Sequence, residues 1–218
     1  MFTGIVQALG EIAAIVETDG DVRLRVMTGK LPLADVAIGD SISTNGVCLT
    51  VTELPGDGYW ADVSTETLSL TSLKSIKTGT KVNLEKSVTP ATALGGHLVS
   101  GHVDGLGVVR RLEQDARSWR VTIEAPKELA KYIAGKGSIC IDGTSLTVNT
   151  VNGASFELNI IPQTWEETVF QFYQVGSEVN LEVDIIARYL ERLLQSGAVP
   201  TSEGLSLDSL RGAGYLHD

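Results

Sequence analysis

The chain is written twice. Displaced by 97 residues, its second half falls on its first. Gly4-Ile5-Val6 meets Gly101-His102-Val103, Leu9-Gly10 meets Leu106-Gly107, and Arg23 meets Arg120. Asn45-Gly46-Val47-Cys48-Leu49-Thr50-Val51 meets Asp142-Gly143-Thr144-Ser145-Leu146-Thr147-Val148. Glu66-Thr67 meets Gln163-Thr164, and Gly79 with Val82-Asn83-Leu84-Glu85 meets Gly176 with Val179-Asn180-Leu181-Glu182. One offset holds throughout, so the loops also agree in net length. Shared turn vocabulary alone does not produce that. Whatever fold one copy takes, the other takes as well.

Each copy reads as short strands. Residues 21–28 alternate, with Val22, Leu24 and Val26 on one side and Arg23 and Arg25 on the other. Residues 40–53, 59–64 and 80–86 are further strand candidates. Pro55-Gly56-Asp57-Gly58 and Asn152-Gly153 carry hairpin turns. The 23 glycines agree with many short segments joined by turns. Five or six strands in about 90 residues predict a small closed barrel per copy, because closure removes exposed edges. Short helices are predicted at 66–75 and 126–134, at matching places in the two copies. The stretch from Thr89-Pro90 to Gly95-Gly96 is the natural linker, which divides the chain into 1–95 and 96–185.

One segment has no counterpart. Ile186, Tyr189, Leu190, Leu193 and Leu194 recur at helical spacing, with Arg188, Glu191 and Arg192 opposite. Such a helix either packs on its own barrel or meets another copy of the chain. Beyond it the chain is linker-like, with a short helical turn expected at 206–210.

Composition excludes several functions. A formal net charge of −10 offers nothing to nucleic acid or to an anionic membrane surface. No apolar run is long enough to span a bilayer. Met1-Phe2-Thr3-Gly4-Ile5-Val6 has no basic stretch, so no signal peptide is expected. Cys48 and Cys140 lack metal-like spacing and fit free thiols in a reducing cytosol. His97 and His102 have only His217, near the end of the chain, as a third histidine, so no metal is expected. There is no P-loop or dinucleotide fingerprint, and Ser145 lies in no nucleophile elbow.

Side chains alternate along a strand. Leu49 and Val51 therefore share one face and Cys48 and Thr50 the other, and Leu146 and Val148 oppose Ser145 and Thr147 in the same way. If the apolar faces fill the barrels, each barrel carries a small polar pair outside. One such pair is ordinary. Two at equivalent positions, beside Gly4 and Gly101 and near Thr67 and Thr164, suggest duplicated sites, with the glycines admitting a ligand close to the backbone. The copies differ where chemistry sits: Ile5 against His102, Cys48 against Ser145, Phe2 against Val99 and Gly39 against Lys136. That asymmetry suits a reaction between two identical molecules in different roles.

Met1 to Gln7, Asn45 to Thr52, Gly95 to Asp104 and Ile141 to Val148 together resemble the riboflavin synthase family, over residues 1 to about 195. The sequence departs mildly at Ser64 and Thr65, where the family often has Met-Pro, and at Cys140 and Thr144, where small or branched apolar residues are usual. The resemblance implies an all-β fold of two tandem six-stranded Greek-key barrels. It implies a homotrimer held partly by the helix in 186–218, with each site between the N-terminal barrel of one chain and the C-terminal barrel of its neighbour. It implies a cytoplasmic enzyme needing no cofactor or metal. Two molecules of 6,7-dimethyl-8-ribityllumazine would exchange a four-carbon unit, giving riboflavin and 5-amino-6-ribitylaminouracil.

For the reaction itself the resemblance implies His102, Ser145 and Thr147 in proton transfer at the C-terminal barrel. It implies Cys48 (or water) as nucleophile toward the other lumazine, Phe2 over the stacked rings, and Lys136 and Asp184 as contact or orienting groups. Substrate binding is expected at Gly4, Ile5, Val6, Cys48, Leu49, Thr50, Asp62, Val63, Ser64, Thr65, Glu66 and Thr67. In the second half it is expected at Gly101, His102, Val103, Lys136, Ser145, Leu146, Thr147, Asn159, Ile160, Ile161, Pro162, Gln163 and Thr164. The rival reading is a fluorescent antenna protein that binds lumazine or flavin without catalysis and typically keeps a working site in one half. Here both halves keep the motifs.

Overall fold

The computed structural model of the protein describes residues 1–18 and 20–196. The expected helical turn at 206–210 lies outside them. Among the described residues twelve strands form two closed antiparallel barrels of six. The first contains β1 (Ala8–Thr18), β2 (Asp21–Met27), β3 (Ser41–Thr44), β4 (Val47–Glu53), β5 (Gly58–Val63) and β6 (Lys81–Lys86). Around the ring they run β1-β2-β5-β4-β3-β6, with β6 closing on β1. The second contains β7 (Gly105–Asp115), β8 (Ser118–Glu124), β9 (Ser138–Ile141), β10 (Thr144–Asn152), β11 (Ser155–Ile160) and β12 (Glu178–Val183). Its ring is β7-β8-β11-β10-β9-β12. In each ring the chain leaves the second strand, crosses over, and returns through three hairpin-linked strands to lie beside it, which is the Greek-key path.

The alternation in β2 is realised: Leu24 and Val26 are fully buried, while Arg23 pairs outside with Glu53 at 2.7 Å. Ile12, Ile42, Val51, Ala61, Val82 and Leu84 complete the interior of the first barrel. Each of the valines, leucines and isoleucines removed from water contributes about 1.5–3 kcal/mol.

The 40–53 candidate is two strands. Asn45 (φ 48°) and Gly46 (φ 78°) turn between β3 and β4, and Asp142 (φ 42°) and Gly143 (φ 80°) turn between β9 and β10. Two successive positive φ values define the type I′ hairpin, for which Asn-Gly and Asp-Gly are the favoured pairs. The longest strand, β1, escapes a simple alternation because its register slips between Ile12 and Ala14. The same slip occurs in β7 between Val109 and Arg111. Strands β4 and β10 slip at Val51/Glu53 and Val148/Thr150. A bulge bends its strand, so these four repeat-related bulges help curl each sheet shut.

The helical pieces require one correction. α1 (Thr65–Leu70) with a 3-10 turn at Ser72–Ser75 is matched in the second copy by α2 (Pro162–Glu167) with a 3-10 turn at Val169–Phe172. The 3-10 turn at Lys127–Tyr132 is not matched: residues 30–35 hold no helix. Pro32 stands there and has no N–H for a helical hydrogen bond.

Among the described residues, those up to Ile185 form one compact unit, and those from Ile186 to Ser196 belong to a second. The second contains nearly all of α3 (Ile185–Gln195), which places the five apolar positions of 186–194 on one face.

The two barrels meet through their turns. Asn83 on β6 donates its amide to the Asp142 carbonyl at 2.8 Å, and Asn180 on β12 donates its own to the Asn45 carbonyl at 2.8 Å. The same two side-chain oxygens accept from Val169 N–H (2.8 Å) and Ser72 N–H (2.7 Å). At the turn tips Gly46 and Gly143 lie so close that a Cβ on either would come within 3 Å of the other's backbone nitrogen.

One position breaks this symmetry. Asn45 Oδ1 accepts from Asn83 N–H, whereas its counterpart Asp142 accepts from Asn180 N–H and from the Tyr173 hydroxyl. Burial pushes the Asp142 carboxyl up to about 7. The folded protein therefore keeps a proton that the unfolded chain releases near pH 4. The resulting stability is complete below that pH and is lost as pH rises toward 7. Asp142→Asn supplies the residue that the other copy already uses. The stability of wild type relative to Asp142→Asn should fall by up to about 1.4 kcal/mol per pH unit between pH 4 and 7, then level off. Urea unfolding of both proteins across that range measures it, and a pH-independent difference contradicts the assignment.

Candidate functional site

The segments that precede each barrel cross to the other one. Phe2 and Val99 form an antiparallel bridge (N···O 2.7 and 3.1 Å) in the seam. From this crossing Gly4 reaches the second barrel, where its carbonyl accepts from Ser145 N–H at 2.7 Å. Gly101 reaches the first barrel, where its carbonyl accepts from Cys48 N–H at 2.8 Å.

Two clefts result. The first, about 200 Å³, is lined by Val47 and Cys48 of β4, by Glu66, Thr67, Leu70 and Thr71 at α1, and by Gly101, His102 and Val103. The second, about 400 Å³, is lined by Thr144 and Ser145 of β10, by Gln163, Thr164, Glu167 and Thr168 at α2, by Gly4, Ile5, Val6 and Gln7, and by Lys30. Every residue lining the first cleft has its repeat counterpart in the second. The helices set this spacing: Glu66 and Leu70, and Thr67 and Thr71, stand four apart and so share a face. Ser64 caps α1 by accepting from Thr67 N–H at 3.2 Å.

The structure redistributes several expected residues. His102 lies with Cys48 at the first barrel, not with Ser145 and Thr147 at the second, because the arms cross. Phe2 is buried between the copies. It is 1% exposed, packed with Val99, Cys140 and Cys48 beneath Gly101. The glycines allow close approach of an arm to a strand: a Cβ on Gly4 would lie 2.6 Å from Ser145 Cβ, and one on Gly101 would lie 2.7 Å from Cys48 Cβ. Leu49, Val63 and Ile160 point into the barrels, and Leu146 packs on the second core, as strand alternation requires. Asp62 pairs with Arg23 at 3.4 Å. Thr50 and Thr147 are exposed, and they, Thr65, Asn159, Ile161, Pro162, Lys136 and Asp184 are absent from the walls of both clefts. Lys136 holds φ 67° where its counterpart is Gly39, and donates its N–H to Val148.

One residue was missed. His97 Nδ1 lies 2.7 Å from Ser145 Oγ, the imidazole is 8% exposed, and Nε2 has no hydrogen-bond partner among the described residues. Burial lowers its pKa, opposed by the nearby Asp184 charge, so the ring favours the neutral form. The repeat could not reveal it, since its counterpart would precede Met1. Each cleft thus has one small nucleophilic atom and one imidazole near it: Cys48 with His102, Ser145 with His97.

These features define a duplicated small-molecule cradle on a double barrel. Residues 3–87 and again 100–184 match the lumazine binding domain family, and the chain belongs to that family. Over nearly its whole length it is similar to curated riboflavin synthases. It is 46% identical to that of Photobacterium phosphoreum over 99% of this chain and 100% of the relative. It is 43% identical to that of Actinobacillus pleuropneumoniae, again over 99% and 100%. Among solved structures, LumP complexed with 6,7-dimethyl-8-(1'-D-ribityl) lumazine superposes with a TM-score of 0.74 at 27% identity, over 84% of this chain and 99% of LumP. LumP complexed with riboflavin gives 0.77 at 28%, with the same coverage.

The close approach at Gly101 is testable. Gly101→Ala combines left-handed backbone strain (φ 82°) with contacts at 2.7 Å to Cys48 Cβ and 2.8 Å to Phe2 Cε2. It should cost at least about 2 kcal/mol of unfolding free energy. Gly79→Ala has similar strain (φ 88°) but open space around the added methyl, and should cost only about 1 kcal/mol. Equal costs in denaturant titrations contradict the close-approach account.

Proposed function

We propose that the chain catalyses the riboflavin synthase reaction: two molecules of 6,7-dimethyl-8-ribityllumazine give riboflavin and 5-amino-6-ribitylaminouracil by transfer of a four-carbon unit. The observation that carries this reading is the pair of clefts built from equivalent residues, in a chain 43–47% identical to riboflavin synthases of three species over 89% or more of its length. Equivalent walls suit identical ligands. The non-equivalent residues, Cys48 against Ser145 and His102 against Ile5, suit their different roles.

The methyl on C7 of lumazine is a carbon acid, because its anion is delocalised into the ring. One molecule loses this proton and the other accepts a nucleophile at C7. Holding the rings stacked supplies much of the rate enhancement through proximity. In this reading Cys48 and His102 act on the ligand of the first cleft. Ser145, with its hydroxyl held by His97, acts on that of the second. Thr67 and Thr164 offer a hydroxyl to each ligand. The electron sink is the lumazine ring itself.

The two clefts share no lining residue. In this reading the two rings meet between a first cleft and a second cleft of different chains. A homotrimer provides that arrangement, with the apolar stripe of α3 as a contact. Both cysteines are free thiols, in keeping with a cytoplasmic enzyme. Among the described residues no helix is long and apolar enough to cross a membrane.

Purified protein incubated with the lumazine should form one riboflavin per two lumazines consumed, followed by absorbance. Bound but unconverted lumazine overturns the enzyme reading in favour of a carrier. His102→Gln should lower turnover by at least about tenfold while riboflavin affinity changes little; unchanged turnover removes His102 from the chemistry. Light scattering should give a trimer, and a fully active monomer refutes the between-chain site.

A further inference from the structure

Two buried carboxylates remain outside this account. Glu85 on β6 is 3% exposed and Glu182 on β12 is 5% exposed. They are repeat counterparts and neither lines a cleft. Neither forms an ion pair among the described residues. Instead each is filled by donors from an arm. Glu85 accepts from Thr3 N–H (2.7 Å), Thr3 Oγ1–H (2.7 Å) and Gly4 N–H (2.9 Å). Glu182 accepts from Ser100 N–H (2.5 Å), Ser100 Oγ–H (2.8 Å) and Gly101 N–H (2.9 Å). The arms are crossed, so each carboxylate belongs to one barrel and grips the segment that walls the other barrel's cleft.

We propose that Glu182 is a positioning residue for the first-barrel cleft and Glu85 for the second-barrel cleft, each fixing the glycine arm that completes the ligand site of the opposite barrel. The proposal rests on the two clefts being the lumazine sites. Burial raises the pKa of both carboxyls above the ordinary value, and the hydrogen bonds from the arm pull in the other direction. A buried carboxylate is costly on its own. Three convergent donors make it a rigid anchor, and its fork sets both the position of the glycine and the direction of its carbonyl. An amide cannot replace it, since one end of a glutamine carries N–H groups that would face the N–H of the arm.

Cys48 provides a reporter. It is partly exposed in the first cleft, whereas Cys140 is 1% exposed and burial raises its pKa well above the ordinary thiol range. Iodoacetamide labelling, read by peptide mass spectrometry, therefore reports on the first cleft. Two rates are measured on the full-length protein. Without ligand, Glu182→Gln should speed Cys48 labelling at least tenfold, because the Gly101 wall loosens, while Glu85→Gln changes it less than threefold. With riboflavin as probe, Glu182→Gln should need at least tenfold more riboflavin than wild type to protect Cys48, and Glu85→Gln should need nearly the wild-type amount. Ser100→Ala, which removes one donor and keeps the carboxylate, should move both readouts in the Glu182→Gln direction by a few fold. It stands in for Glu182→Gln if that variant does not fold.

Equal effects of the two glutamine variants at Cys48 would mean general loosening and would overturn the proposal. So would no effect of Glu182→Gln or Ser100→Ala. If riboflavin fails to protect wild-type Cys48, the ligand assignment is wrong, while the ligand-free rates still decide whether the carboxylate holds the arm.

Discussion

The reciprocal hydrogen bonding of Asn83 and Asn180 across the seam is the constraint on which the rest depends. A closed barrel has no free ladder groups with which to bind a neighbour. Two such barrels can be joined only by side chains, turns and arms. Each asparagine spans the seam with its amide group and accepts with its oxygen from the 3-10 turn that follows the helix of the other copy. Formed, each of these bonds contributes about 0.5–1.5 kcal/mol, but leaving one buried partner unpaired costs about 1–3 kcal/mol. The seam is thus more intolerant of one-sided change than its gross stability suggests. Duplication supplies both sides at once, since a contact made by one copy is made again by the other.

Crossing of the arms follows from that seam and makes each cleft a composite. The strand and helix come from one copy and the glycine wall from the other. Gly4 and Gly101 are therefore fixed by geometry between copies: with a side chain at either, the arm could not lie against Ser145 or Cys48. The positive φ at both positions removes the remaining alternatives to glycine. Separating the copies would leave each cleft with only the half that its own barrel supplies.

Much of this was legible in the sequence because it is local or periodic. The repeat, the alternation in residues 21–28, the turn at Pro55 to Gly58 and the amphipathic stripe of α3 each follow from spacing alone. The strand β1 was not read, because a bulge at Ala13 breaks the alternation on which such a reading relies. The Asn45-Gly46 hairpin carried its signal in plain view, but the continuous run of 40–53 masked it. What the sequence could not give was the exchange of arms. A linear comparison aligns His102 with Ile5 and sets each beside its own barrel. Only three-dimensional closure shows that each sits at the other one. His97 was hidden for a related reason: it pairs with Ser145, 48 residues away, and no repeat partner marks it.

The copies agree at several contacts that hold the seam and the arms and differ at several cleft positions, although Asn45 against Asp142 and Phe2 against Val99 differ in the seam and Thr67 with Thr164 agrees in the clefts. Asn83 and Asn180, Glu85 and Glu182, and Gly4 and Gly101 are identical in kind, and all of them hold the seam or the arms. Cys48 and Ser145, Glu66 and Gln163, Leu70 and Glu167, and Ile5 and His102 differ, and all of them face a cleft. At Asn83 and Asn180 a change in one copy leaves an unpaired group in the other, which holds both as asparagine. The differing cleft positions Ile5, Glu66, Leu70, His102 and Gln163 are exposed and carry no such penalty, so they are where two copies of one fold can acquire different chemistry. A reaction that takes two identical molecules and treats one as donor and the other as acceptor needs that combination: matched cradles to bind the same ligand, and unmatched reactive groups to tell the two molecules apart.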